Sequence, residues 1–268
     1  MTLSLREIPA RQGAIWMRDG FRLFAKHPLP FSLMFVVFLA VMMVGAMLPA
    51  LFGLLVMAML PLFSLGFMVA AEAALQGKPI HPGLFVKPLT SDAKRRRALL
   101  FLGLGYGLCM MLALSLGQWV DDGALFRLQQ LQANQAPRAE IEALMSTEQF
   151  RDGMAIRLIL LALVSTLFWH APALVHWGQQ SAAQALFSSA LAMWRNKGAF
   201  LVFAVCWLGI AALLGILVGT ALGVLGAPQL AGPVVISAGL IFSTVYSVSM
   251  LFPFNDCFGN SGVVAAAP

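Results

Sequence analysis

The sequence predicts an all-α, polytopic helical membrane protein with about six transmembrane helices and two amphipathic helices at the interface. Three observations carry this. One uncharged run covers residues 29–71 and a second covers 199–255; about 20 apolar residues cross a bilayer as a helix, so each run holds two crossings and a turn. Hydrophobic residues make up 60% of the chain and charged residues only 10%, whereas about a quarter of the residues of a soluble domain are charged. The basic residues also fall mostly in alternate loops, as they do in membrane proteins.

The elements follow in order along a single integral membrane domain, 1–268. An amphipathic stretch, 5–27, places Ile15, Trp16, Phe21, Leu23 and Phe24 on one surface and Arg11, Arg18, Asp19 and Arg22 on another, the mix of a helix lying in the interface. It stops at Lys26-His27-Pro28, because proline disfavours helix at the residue before it. The first span is expected at 30–48 and the second, after a turn at Pro49, at 51–75. Gly77, Pro79, Pro82 and Pro88 break the next segment, and a third span is expected at 98–118. The long hydrophilic segment 119–152 follows on the periplasmic side, divided by Pro137 into two short helices. A fourth span is expected at 156–177. The second amphipathic helix covers 182–197, with Leu186, Phe187, Leu191, Met193 and Trp194 apolar and Gln184, Ser188 and Ser189 polar. Spans at 200–225 and 234–254 close the chain, turning at Ala227-Pro228-Gln229 and Gly232-Pro233.

Thirteen of the 17 lysines and arginines fall on the side that holds the N-terminus, the Lys94-Arg95-Arg96-Arg97 loop and the Arg195-to-Lys197 turn; the other four are Arg127, Arg138, Arg151 and Arg157. By the positive-inside rule both termini are expected in the cytoplasm; placement in a bacterial inner membrane is what the resemblance given below implies. The same asymmetry accounts for the net charge of +6, so nucleic acid is not an expected partner. Anionic lipid headgroups are, at Lys94, Arg95, Arg96 and Arg97; other envelope proteins or a second copy are the remaining candidates. The first apolar run is too long for a cleaved signal peptide and is read as an uncleaved anchor.

The segment Trp16-Met17-Arg18-Asp19-Gly20-Phe21-Arg22-Leu23-Phe24-Ala25-Lys26-His27-Pro28, opening a six-span chain, resembles a family of uncharacterised proteobacterial inner-membrane proteins. It is more distantly similar to the membrane domain attached to some bacterial glycerophosphodiester phosphodiesterases. The resemblance implies an all-helical inner-membrane protein and brings no catalytic residue with it. Leu23-Phe24-Ala25-Lys26-His27-Pro28 and Met193-Trp194-Arg195-Asn196-Lys197-Gly198 share a layout of two large apolar residues, a basic stretch and a breaker, so the chain is either two related halves or two independent uses of a basic turn.

Candidates for chemistry are few. Glu72 lies in the second span among alanines, either as a proton or cation site or reaching headgroup water at the interface. His170 and His176 sit 240° apart on a regular helix, which argues against a two-histidine metal site; Pro172 makes His170 the better pocket residue. Gly215, Gly219 and Gly223 form one ridge of small residues and Gly103 and Gly107 another, suited to close helix packing, with a contact between the third and fifth spans expected to use both. Cys109, Cys206 and Cys257 are widely spaced and fit no disulfide or zinc pattern. The 15 methionines fit packing better than soft-metal binding. No paired carboxylates, zinc-protease spacing or activated serine motif appears, so an enzyme and a cofactor are not expected. The leading expectation is a non-enzymatic scaffold or envelope-organising protein. The alternative is a small transporter or channel with a polar path near Glu72 and His170.

Overall fold

A computed structural model describes residues 4–49, 52–90, 92–224, 226 and 231–259. The described residues form helices and turns without a strand: α1 (Gln12–Lys26), α2 (Pro28–Met47), α3 (Gly53–Leu75), α4 (Ala93–Val120), α5 (Ala124–Ala133), α6 (Arg138–Met145), α7 (Glu148–Phe168), α8 (Ala171–His176), α9 (Ala182–Arg195), α10 (Lys197–Val224), α11 (Ala231–Ser249) and α12 (Leu251–Phe258). Six helical stretches are long and apolar enough to cross a membrane, with α7–α8 and α11–α12 each counting as one. The expected span limits at Leu51 and Leu225 and the turn at Ala227-Pro228-Gln229 lie outside the described residues.

Burial sets the arrangement. Over half of the apolar window of α3 is inside the protein, against 11% for α10. Helix α3 is therefore the centre, touched by α2, α4, α8 and α11, and α10 is peripheral, held mainly through α1 and α11. Gly103 and Gly107 explain the close α3–α4 contact: a Cβ on either would meet the backbone of Leu54 or Ala58. The second ridge behaves otherwise. Nothing stands within 4 Å of a Cβ built on Gly215, Gly219 or Gly223, so the expected contact between the third and fifth spans is replaced by α4 against α3. Spacing of small residues reports that a close approach is possible, not which helix makes it.

Two spans are broken, each for the same reason. Pro172 cannot donate to the carbonyl of Phe168, and α7 ends at Phe168; Pro253 cannot donate to the carbonyl of Ser249, and α11 ends at Ser249. In the first break a side chain repairs the ladder. The backbone N–H of His170 donates to Ser189 Oγ at 3.0 Å, and that hydroxyl donates to the Thr166 carbonyl at 3.1 Å. Ser189, wholly buried on α9, thus stands in for the missing i to i−4 bond. Ser189→Ala should cost about 1–3 kcal/mol by leaving both backbone groups unpaired, read as a lowered Tm in detergent; an unchanged Tm would mean the backbone closes the gap by itself.

The two amphipathic helices use their faces differently. In α1, Gly13, Trp16, Gly20 and Leu23 are buried, packed on α10 and α11, while Arg11, Arg18 and Arg22 stay exposed. A Cβ on Gly13 would collide with the Ala199 carbonyl and one on Gly20 with Ser249. In α9 the inward face is small, Ala185, Ser189 and Ala192, and the large residues Phe187 and Trp194 point out, 70% and 72% exposed. Lys197 lies over the Trp194 ring at 5.1 Å. Shared sequence layout does not make the two helices equivalent in packing.

Candidate functional site

Glu72 and His170 are brought into one neighbourhood, but aromatic rings separate them. Glu72 is half-buried near the end of α3, and its carboxylate accepts from Trp177 Nε1 at 3.2 Å. Trp177 packs on Phe254, 5.2 Å between ring centroids, and Phe254 packs on His170 at 5.9 Å. Phe200 and Phe258 complete the surround of His170 at 5.6 and 5.5 Å. The histidine is fully buried, and neither ring nitrogen has a hydrogen-bond partner among the described residues. His176 stacks edge-on against Trp177. No group of three His, Cys, Asp or Glu side chains that could hold a metal occurs among the described residues.

A second cluster, on the opposite side, is one that the sequence reading missed. Arg157, counted there with the basic residues of the outer side at the very start of the expected span, is buried well inside α7, which starts at Glu148 rather than 156. Its Nη1 meets Asp121 Oδ2 at 2.6 Å, with side chains 6% and 0% exposed. Asp121 also accepts from the backbone N–H of Gly123 and Leu125, so it turns the chain from α4 into α5. Burial alone would raise its carboxyl; the Arg157 guanidinium and those two N–H donors outweigh that and hold it below its ordinary value. Two glycines make the room: a Cβ on Gly117 would run into the Arg157 side chain, and one on Gly153 into Asp121. Beside this pair, Ala124, Leu128 and Phe150 gather Ile141 and Leu144 into a small apolar cluster under α5 and α6, the two short helices that Pro137 divides.

Between these levels a cavity of about 190 Å³ lies among α3, α4, α7 and α11, lined by Ser64, Tyr106, Ser165, Trp169 and Tyr246. Both tyrosines of the chain are here, and their scarcity in mid-span is a signal that the sequence reading passed over. On the side of Glu72, α1 and the residues before it meet α12 and Asn196. Trp16 Nε1 and Gln12 Nε2 donate to Asp256 at 2.7 and 2.8 Å. Asn196 accepts from the Ile8 N–H at 2.7 Å and donates to the Arg6 carbonyl at 3.0 Å. The basic quartet divides: Lys94, Arg95 and Arg97 line a cavity of about 370 Å³ between α4 and the start of α9, and Arg96 does not.

Comparison with known proteins agrees with this architecture. A probable inner membrane protein of Burkholderia thailandensis is 30% identical over 262 residues, covering 96% of this chain and 94% of its own length. The chain belongs to that inner-membrane protein family. The match runs nearly end to end, so the likeness is carried by the whole chain and not by one motif. No protein-family profile matches the chain, and no solved structure matches it.

Proposed function

We propose that this family member is a non-enzymatic protein that organises or supports other components of the inner membrane, with both termini and the basic loops in the cytoplasm and α5–α6 in the periplasm. The observation that carries the reading is the aromatic fill between Glu72 and His170. A conducting path would need water or polar side chains there; Trp177 and Phe254 occupy the space, and the Glu72 carboxylate is held by Trp177. The orientation rests on the thirteen-to-four division of basic residues. Lipid headgroups, envelope proteins or a second copy are the partners such a role would use.

Flux measurements in proteoliposomes test the proposal against the transporter alternative. Wild type, Glu72→Gln and His170→Ala are expected to give proton and solute leakage equal to that of empty vesicles. Flux above empty vesicles that either substitution removes would overturn the organising role.

A further inference from the structure

We propose that the cavity between α4 and α9 is a discrete binding site for a phosphate-bearing anion at the membrane surface, the headgroup of an anionic phospholipid being the source that its shape favours. This goes beyond the organising role and is tested independently of flux. Four features converge. Lys94, Arg95 and Arg97 line one cavity of about 370 Å³ and form no salt bridge among the described residues. Two helix N-termini end at its wall, α4 at Asp92 and α9 at Ser181, and each brings the positive end of its dipole there. The Asp92 carboxylate at the rim is engaged as the cap of α4, accepting from the Lys94 N–H. Ser181 caps α9 in the same way, through a reciprocal pair with Gln184.

The fourth feature separates a lipid from a free anion. On the edge running into the membrane span, Ala98, directly after Arg97, and Phe101, one turn further along α4, line the same cavity, and Phe101 is 68% exposed. A phosphodiester held by the guanidinium and ammonium groups would lay its acyl chains along that apolar edge. Arginine forks suit phosphate oxygens and lysine adds a point charge. Arg96, next in sequence, does not line the cavity, so a diffuse basic surface and a built site make different predictions about it.

The test uses the full chain in detergent, titrated with dioleoylphosphatidylglycerol or dioleoylphosphatidylcholine and read by native mass spectrometry, with inorganic phosphate as competitor. Saturable binding of the glycerol lipid and weak binding of the choline lipid are expected. Arg95→Gln/Arg97→Gln should weaken the former at least about ten-fold, since two charge-assisted contacts are lost, and Arg96→Gln should leave it unchanged. Lys94→Gln, at an exposed position, should give a partial loss and guards against misfolding of the double variant. Displacement of the lipid by millimolar phosphate would uphold the site and assign it to a small anion; no displacement assigns it to the lipid. Undiminished binding by both the double variant and Lys94→Gln would overturn the proposal, as would equal loss in Arg96→Gln or no preference for the anionic lipid.

Discussion

Arg157→Met is expected to destabilise the protein by about 3–5 kcal/mol, because it leaves Asp121 buried without its countercharge. Thermal unfolding in detergent, followed by tryptophan fluorescence, measures it. The double substitution Asp121→Leu/Arg157→Met should recover much of that loss, since no unpaired charge remains. A loss below about 1 kcal/mol in the single variant would mean that water reaches the pair and screens it. A pH dependence follows from the same geometry. The carboxyl of Asp121 is held below its ordinary value when folded, so its contribution is complete above the unfolded value of about 3.9 and is lost as pH falls through the lower folded value. Asp121→Asn should therefore flatten the acid limb of the stability curve and lower its neutral plateau.

The second large effect is expected at Trp16. Its ring is 1% exposed, packs against Phe200 and Phe203 at 5.2 and 6.0 Å, and anchors through Asp256. Trp16→Ala should cost about 3–5 kcal/mol, the range for deleting a large aromatic from a packed interior, and it also leaves Asp256 with Gln12 as its remaining donor. Limited proteolysis around residues 9–27 should accelerate in parallel. Full protection at those residues would show that the glycine contacts at Gly13 and Gly20 hold α1 without the tryptophan.

Much of the architecture was legible because hydropathy and charge are properties of single residues added along the chain. Long apolar runs located the six spans, Pro137 divided the outer segment, and Pro28 marked the passage from α1 to α2. What stayed hidden depends on partners distant in sequence. Arg157 reads as a charge at the outer end of a span until Asp121, 36 residues earlier, is seen against it, and α7 gains about two turns before it. Gly103 and Gly215 look alike in sequence, yet one faces Ala58 and the other faces nothing within 4 Å. Ser189 reads as one polar residue on an amphipathic helix; its role as a replacement hydrogen-bonding group exists only because Pro172 disrupts a different helix. For the candidate site, Glu72 and His170 were identifiable as the rare polar residues in apolar spans, while Trp177 and Phe254 between them carried no mark that sets them apart from ordinary anchors.

The seating of α1 bears on how the chain is made. Translation makes α1 well before its docking surface, which is built from Ala199, Phe203, Ser249 and Asp256. Until then Trp16 and Leu23 have only lipid or a chaperone to cover them. A chain cut short before Lys197 keeps its first four spans and lacks that surface, so such copies would display an apolar helix that the folded protein conceals, a difference that a membrane protease could read.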